Sequence, residues 1–264
     1  MKAGLKIIFM GTPDFAKGAL QEILESTHEV LAVVTAPDRP AGRGQKLRKS
    51  SVKLYAEKND IPILQPEKLK ADAFVSSLKT FDADLYVVVA FRMLPELVWS
   101  IPSKGTINLH ASLLPNYRGA APINWAIING EKTTGITTFY INDKIDTGDI
   151  LKQSSVDITK NMNAGMLHDV LMKKGAELIV ETLEGLEKGV LSREEQVDLE
   201  GLEIKHAPKI FKNDCQINWS YDTSSIHDKI RGLSPYPGAW CVLYNKVKKT
   251  KVQFKFFSSS LVSE

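Results

Sequence analysis

The sequence of 264 residues has few cysteines and no long apolar run. Its two cysteines, Cys215 and Cys241, are too few for a disulfide framework, and no CxxC or histidine-rich spacing suggests a metal site. No apolar run approaches the length that spans a bilayer, and the first residues lack the long apolar core and cleavage site of a signal peptide. We therefore expect a soluble protein of the reducing cytoplasm, without a bound metal.

A strong net charge and a dinucleotide fingerprint are also missing. The 34 basic and 31 acidic residues leave a net charge of +3, which by itself is too weak to indicate nucleic-acid binding. Two stretches, Arg39–Lys53 and Lys246–Lys255, nevertheless hold basic residues and no acidic ones. Such stretches are either solvated faces or phosphate contacts. The first predicted strand ends in the single glycine Gly11 where a dinucleotide fingerprint requires three, which disfavours a nicotinamide enzyme.

The order of apolar and helical patterns predicts an α/β fold. Short apolar runs alternate with segments of helical periodicity from Lys6 to about Gly189. The run LYVVVAF is nearly continuous in apolar residues, which is typical of a parallel strand buried on both faces. We predict one Rossmann-like α/β domain with a mainly parallel sheet over residues 1–189. A linker at 190–206 and a smaller C-terminal β domain at 207–264 are predicted to follow.

Unlike polar residues are concentrated between Gly105 and Leu151. Asn108 and His110 lie two apart at the end of a predicted strand, so they should share one face of the sheet. Asp146 lies in a glycine turn before a further strand. A histidine exchanges protons near neutrality, a carboxylate stabilises its imidazolium form, and an asparagine amide donates to an oxygen that gains charge. Together these groups suit acyl or formyl transfer, although singly they are also ordinary strand, core and turn residues.

The set formed by Asn108, His110, the SLLP segment, Arg118–Gly119 and Asp146 within DTGDIL resembles the folate-dependent formyltransferases. The opening GTPDFA, the basic loop PDRPAGRG and the late RGLSPYPGAW are similar to those of the family members that act on methionyl-tRNA. These separate motifs occur in the order that the family shows.

The resemblance extends from Lys6 to about Trp240 and implies the formyltransferase fold, with a C-terminal barrel that resembles an OB fold. Members of the family continue beyond the point where this sequence stops at Glu264, so we expect the barrel to be incomplete.

The activity implied by the resemblance is transfer of a formyl group from 10-formyltetrahydrofolate to the α-amine of methionyl initiator tRNA, for translation initiation. Asn108 and protonated His110 would donate to the formyl oxygen as it becomes negative, and Asp146 would keep His110 charged. A metal is not needed, because the donor is already activated and both reactants can be held in place. We expect a monomer whose partners are folate and initiator methionyl-tRNA.

The same resemblance implies two folate-binding segments. The residues expected to bind folate are Ser112, Leu113, Leu114, Pro115, Phe91, Arg92, Met93 and Leu94. Relatives tend to carry tyrosine and glycine in place of Phe91 and Arg92, and they contact the pterin there largely through backbone groups. We therefore expect a changed pocket lining at these two positions.

For tRNA, the resemblance implies that the basic loop enters the acceptor end, through Arg39, Lys46 and above all Arg43. The loop's position after a strand suits a grip on a polyanion, although an ordinary exposed connection would look similar. Further along the chain, Lys209 in HAPKI either has a structural role or faces the substrate.

Two other functions remain open. Within the enzyme class, the same three residues could formylate glycinamide ribonucleotide or an aminosugar nucleotide, or could hydrolyse formylfolate. The basic loop and the C-terminal region favour tRNA, because a small substrate needs neither of them. In a different class, the chain could be a catalytically inactive tRNA-binding protein, and the intact Asn108, His110 and Asp146 argue against this alternative.

Overall fold

The computed structural model describes residues 4–41, 46–196, 203–247 and 249–262. Its contacts divide the chain into two compact units. The first unit contains Met1–His110, Ile136–Ser154 and Met172–Val197, and the second contains Ala111–Gly135, Ser155–Leu171 and Asp198–Glu264. The domain boundaries at residues 189 and 207 remain a prediction from the sequence.

Strands and helices alternate along most of the described chain. The strands are β1 (Lys6–Gly11), β2 (Glu29–Val34), β3 (Arg39–Ala41), β4 (Lys46–Arg48), β5 (Ile63–Leu64), β6 (Leu85–Val89), β7 (Thr106–His110), β8 (Arg118–Gly119), β9 (Thr133–Tyr140), β10 (Ile150–Asp157), β11 (His206–Ala207), β12 (Ala239–Asn245) and β13 (Thr250–Phe256). The helices are α1 (Asp14–Glu25), α2 (Ser51–Lys58), α3 (Asp72–Thr80), α4 (Glu96–Trp99), α5 (Pro122–Ile128), α6 (Ala164–Lys188) and α7 (Thr223–Gly232).

Seven of the strands in the described residues form one sheet, in the order β10-β9-β7-β6-β1-β2-β5. The pairs from β7 across to β5 are parallel, and β9 pairs with β7 in the antiparallel direction. Every residue of β6 is buried, because helices cover both faces of such a sheet. The predicted α/β fold with a mainly parallel sheet is confirmed.

The core of the first unit follows from the apolar patterns of its strands and helices. Alternate residues of β1 and β6, such as Ile8 and Tyr86, pack in one cluster with Phe74 and Leu78 of α3. The long helix α6 buries Leu183 and Ile179 along one side, as its helical spacing predicts. Because the core fixes β6 and β7 as neighbours, the residues at their carboxyl ends lie at one edge of the sheet.

The second unit has its own small core. The buried residues of that core are Cys215, Ile217, Ile230, Leu233, Ala239 and Cys241. Strands β12 and β13 pair in the antiparallel direction, and β8 pairs with β11 in the parallel direction. The C-terminal region therefore contains the antiparallel strands that the sequence predicts.

Strands β3 and β4 form an antiparallel pair that the sequence pattern did not predict. Their register joins Arg39 to Arg48 and Pro40 to Leu47, so the arms of the basic loop are paired strands. In the described part of the chain, none of the helices combines the length and apolar character needed to cross a membrane.

Candidate active site

Asn108 and His110 lie at the carboxyl end of β7, between the parallel strand β6 and the antiparallel strand β9. Their spacing on the strand puts both side chains on the same face of the sheet. His110 is buried and Asn108 is half-buried. The ring of Phe139, on β9, meets the imidazole of His110 edge to face, with ring centroids 6.5 Å apart and an interplanar angle of 89°. Phe139 thus contributes to fixing the plane of the imidazole.

Asp146 comes close to His110 although it is distant in sequence. Its Oδ2 atom lies 3.7 Å from Nδ1 of His110, and the two side chains are only 13% and 7% exposed. This distance is longer than a direct hydrogen bond but within the range of an ion pair. Since both groups are shielded from water, the carboxylate acts on the imidazole more strongly than it would at the surface. The structure therefore brings two of the three predicted catalytic residues together.

The turn that carries Asp146 has an unusual backbone. Asp146 has φ = 54°, in the left-handed region that few residues other than glycine occupy, although asparagine and aspartate enter it more often than most. A Cβ atom added at Gly148 would lie 1.8 Å from the carbonyl oxygen of Tyr140, so only glycine fits there. Asn142 Oδ1 accepts a hydrogen bond of 3.0 Å from the Thr147 hydroxyl. The turn is therefore held tightly against the end of β9.

The carboxamide of Asn108 is available to a ligand. Among the residues that the structure describes, it has no hydrogen-bond partner, whereas the strand's backbone groups pair with Val88 and Phe139. A half-buried amide of this kind can donate to an oxygen placed beside it. Asn108, His110 and Asp146 together provide two donors and a carboxylate, the groups that formyl transfer requires. Their catalytic roles remain a prediction.

In the predicted folate segment after β6, residues 91–94, some side chains pack in the core and others are exposed. Leu94 is buried and Phe91 packs against the same apolar cluster, whereas Met93 is 68% exposed. Ala90, which precedes them, has φ = 47° and turns the chain at the end of the strand. The side chain of Leu94 therefore contributes to packing, and this segment can meet a ligand mainly through its backbone and through Met93.

Arg92, at which we expect a changed pocket lining, is held by contacts within the protein. Its guanidinium group donates to the carbonyl oxygens of residues 66 and 67, at 2.8 and 3.2 Å, and lies 5.3 Å from the ring centroid of Phe91. Burial, with a contribution from Arg39, lowers the pKa of Arg92. This side chain therefore anchors the loop after β6 to the segment after β5.

The second predicted folate segment, Ser112 to Pro115, belongs to the second unit and begins two residues after the end of β7. Ser112 is fully buried, and its hydroxyl donates to the carbonyl oxygen of Asn116 at 2.7 Å. Leu114 is buried and precedes a cis peptide bond, whereas Leu113 and Pro115 are half-buried. The segment is a turn that exposes parts of the apolar side chains of Leu113 and Pro115.

A polar network stabilises the residues that follow this turn. The hydroxyl of Tyr117 donates to Glu131 at 2.5 Å, and the ammonium group of Lys205 lies 2.6 Å from the same carboxylate oxygen. Burial, reinforced by Glu131, raises the pKa of Tyr117. A Cβ atom at Gly119 would lie 2.5 Å from the carbonyl oxygen of Ala207, so β8 needs glycine to pair with β11. The sequence analysis missed Glu131 and Lys205, because nothing local connects positions so far apart.

The predicted tRNA-binding residues lie in and around the pair β3–β4. Arg39 is exposed on β3, and Lys46 begins β4. Arg43 lies outside the described residues. The ammonium group of Lys53 lies 2.6 Å from Asp38, and the hydrogen bond from Lys53 lowers the pKa of that carboxyl group. This contact fastens the start of the basic loop to α2.

A cavity of about 420 Å³ in the second unit combines basic and aromatic side chains. The basic and aromatic residues among those that line it are Lys209, Lys212, Lys255, Phe211, Tyr236 and Trp240. Lys209 lies 5.5 Å from the ring centroid of Phe211, and Lys212 lies 6.0 Å from that of Trp240. Lys209, whose role the sequence left open, is thus part of a basic surface.

Within the residues that the structure describes, histidine, cysteine, aspartate and glutamate side chains do not form a group of three or more that could hold a metal ion.

Comparison with known proteins identifies two matching family models. One, described as formyl transferase, matches residues 5–183. The other, described as formyl transferase, C-terminal domain, matches residues 209–264.

Curated relatives match nearly the whole chain. A methionyl-tRNA formyltransferase of Flavobacterium johnsoniae is 51% identical over 260 residues, which are 98% of this chain and 81% of the relative. A methionyl-tRNA formyltransferase of Bacteroides thetaiotaomicron is 49% identical over 264 residues, which are 100% of this chain and 82% of the relative. The chain therefore spans about four fifths of the length of these relatives.

Solved structures with the same fold are more distant in sequence. A 4-N formyltransferase from Francisella tularensis superposes with a TM-score of 0.71 at 18% identity, over 97% of this chain and 99% of that chain. HypX from Aquifex aeolicus, in complex with tetrahydrofolic acid, superposes with a TM-score of 0.66 at 20% identity, over 91% of this chain and 36% of that chain. At these identities the likeness concerns the fold.

Proposed function

The chain belongs to the formyl transferase family, and on this premise we propose that it transfers a formyl group from 10-formyltetrahydrofolate to the α-amine of methionyl initiator tRNA. The observation that carries the proposal is the His110–Asp146 pair on the face of the sheet that also holds Asn108. It occurs in a chain that is about half identical to curated methionyl-tRNA formyltransferases. The product initiates translation, which implies a cytoplasmic protein, and we expect it to act as a monomer.

In the proposed reaction, each of the three residues acts on a stated atom. Asn108 donates a hydrogen bond to the formyl oxygen while the amine of methionine attacks the formyl carbon. Protonated His110 donates to the same oxygen as it becomes negative, and Asp146 stabilises the imidazolium from 3.7 Å. Asp146 also accepts the proton that leaves the attacking amine, through water. The bond from the formyl carbon to the folate nitrogen then breaks, and this nitrogen takes up the proton that Asp146 returns through water, which gives formylmethionyl-tRNA and tetrahydrofolate and leaves Asp146 ionised again.

The residues proposed to hold folate fit such a ligand in their chemistry. Phe91–Leu94 follows the buried strand β6, at the edge where ligands bind in parallel sheets. The segment from Ser112 to Pro115 is a turn closed by the hydrogen bond from Ser112 to Asn116, and it carries the half-buried apolar groups of Leu113 and Pro115. Apolar surfaces with a few oriented backbone groups suit a flat heteroaromatic ring.

Two basic regions are proposed to bind the phosphates of the tRNA. The first consists of Arg39 and Lys46, in the strand pair β3–β4, together with Arg43 between them in the sequence. The second is the cavity lined by Lys209 and Lys212, where lysines lie over aromatic rings. Lysines supply charge for phosphates, and exposed aromatic rings can stack on unpaired bases.

The proposal can be tested by offering the protein several acceptors in parallel. The protein is incubated with 10-formyltetrahydrofolate and with methionyl initiator tRNA, glycinamide ribonucleotide, an aminosugar nucleotide or water alone. We expect formylation of the tRNA, with turnover on the small amines lower by on the order of a thousandfold or more, since they lack the phosphate contacts. Formylation of a small amine at a rate equal to that of the tRNA would refute the assignment of the substrate. Binding of the tRNA without formylation would instead favour the catalytically inactive protein.

A further inference from the structure

Gln196 holds the turn that carries Asp146. Its Nε2 atom donates to the carbonyl oxygen of Asp146 at 3.0 Å and to the carbonyl oxygen of Gly148 at 2.7 Å. One carboxamide, 50 positions away from Asp146 along the chain, thus clamps both ends of a three-residue segment. The side chain is half-buried.

The hydrogen bonds from Gln196 are made at a residue whose backbone conformation is unfavourable. Asp146 has the left-handed φ of 54°, a sparsely populated region in which a residue other than glycine is stabilised by its surroundings. The direction of the carboxylate toward His110 depends on this conformation, because a change of φ swings the side chain around the backbone. The two hydrogen bonds of Gln196 fix the carbonyl groups of Asp146 and Gly148, the first and last residues of this short turn.

The segment 193–196 is itself well anchored, so Gln196 can act as a fixed support. Glu194 pairs with Ile150 at the start of β10 through two backbone hydrogen bonds of 2.7 and 2.9 Å. The guanidinium group of Arg193 lies 4.0 Å from the ring centroid of Tyr140, at the end of β9. These contacts hold the segment 193–196 against the end of β9 and the start of β10, and the Asp146 turn connects these two strands.

We propose that Gln196 is a positioning residue for formyl transfer: it holds the Asp146 turn so that the carboxylate faces the imidazole of His110. The inference rests on the proposed function, because the carboxylate matters only if His110 donates to the formyl oxygen. Gln196 has no chemical part in the reaction, and its effect passes entirely through Asp146.

The test compares Gln196→Met, which keeps the length of the side chain without its donors, with Gln196→Glu, which keeps its shape but cannot donate near neutrality. A displacement of about 1 Å in a catalytic group can cost on the order of a hundredfold, so we expect kcat to fall by about tenfold to a hundredfold. The KM values for folate and for tRNA should change by less than about threefold, because in this proposal Gln196 acts only through Asp146. Glu195→Ala, an exposed neighbour on the same segment, is the matched control and should retain full turnover.

A double-mutant cycle separates positioning from a general structural role. Asp146→Asn keeps a residue that tolerates the left-handed backbone but removes the carboxylate. In that background Gln196→Met should cost less than about threefold, because there is no carboxylate left to misplace. Fully additive losses would overturn the inference. The pH–rate profile of Gln196→Met should also move in the same direction as that of Asp146→Asn, which a purely structural defect would not cause.

A crystal structure of Gln196→Glu supplies a measurement that does not depend on activity or on the stability of the methionine variant. We expect the Asp146 carboxylate to have moved away from His110 Nδ1. A distance still near 3.7 Å, with the turn unchanged, would overturn the inference even if the wild type formylates methionyl-tRNA. If instead the wild type formylates nothing while the turn moves as expected, the proposed function fails and the positioning of Asp146 by Gln196 stands.

Discussion

Removal of the Asn108 carboxamide is expected to slow formyl transfer without unfolding the protein. The loss of one donor to a developing oxyanion costs about 2.7–4 kcal/mol of transition-state stabilisation, or on the order of a hundredfold to a thousandfold in kcat. The cost to folding should be small, because within the described residues the carboxamide has no partner that Asn108→Ala would leave unsatisfied. The backbone pairing of β7 with β6 and β9 does not use the side chain. We therefore expect a change in the free energy of unfolding below about 1 kcal/mol.

The assay measures formylation of methionyl-tRNA under saturating and subsaturating conditions, alongside urea unfolding. KM for 10-formyltetrahydrofolate should stay within about threefold of the wild type, because the interaction strengthens only in the transition state. Asn59→Ala serves as the control: the amide of this exposed residue caps α2 by donating to the carbonyl oxygen of Tyr55 at 2.8 Å. That variant should keep its turnover. If Asn108→Ala turns over within a few-fold of the wild type while remaining folded, Asn108 does not donate to the oxyanion.

Three further variants test other parts of the molecule. Ser50→Ala removes the side-chain cap of α2 and should lower the free energy of unfolding by about 1 kcal/mol in urea; an unchanged value would show that the cap is redundant. Burial lowers the pKa of His28, and Nδ1 of this residue accepts a hydrogen bond of 3.1 Å from the backbone N–H of Leu5. As the pH falls, His28 therefore takes up a proton in the unfolded chain before it does so in the folded protein. The folded protein loses stability as a result when the pH falls below about 6.5. His28→Asn keeps the acceptor without titrating and should therefore lose less stability than the wild type between about pH 7.5 and 5.5; equal losses would contradict this. Lys209→Ala should raise the KM for tRNA and reduce its salt dependence by about one phosphate contact, whereas the exposed Lys79→Ala should not.

The fold could be predicted because the burial of its central strands is visible in the sequence as continuous apolar runs. Where both faces of a strand are covered, as in β6, every residue is apolar and the pattern is visible in the sequence itself. The spacing of apolar residues in α6 likewise reports the one side that packs inward. The pairing of β3 with β4 was missed, because these strands are short and polar and the sequence around them contains prolines and glycines, which are not typical of strands.

The candidate site was predictable only in part. Asn108 and His110 were found because strand alternation is a local rule that places them on the same face. Asp146 was singled out as a carboxylate in a glycine turn, and the resemblance of its motif to a family then linked it to the other two residues. Gln196 donates to a backbone carbonyl group of the Asp146 turn, and the backbone N–H of Lys205 donates to Oδ1 of Asn116, in both cases across a long stretch of sequence. Such bonds depend on where two loops meet in space, and a loop's sequence carries no periodicity that would reveal its partner.

The Asp146 turn shows why a remote residue is needed at all. Holding a residue other than glycine in a sparsely populated backbone region costs on the order of 1–3 kcal/mol. Glycine at this position would remove the cost, but it would also remove the carboxylate that faces His110. Two hydrogen bonds from Gln196, each with a net contribution of about 0.5–1.5 kcal/mol, offset a cost of that size. Because the two quantities are nearly equal, loss of the Gln196 donors should leave the turn free to adopt other conformations while the rest of the sheet remains folded.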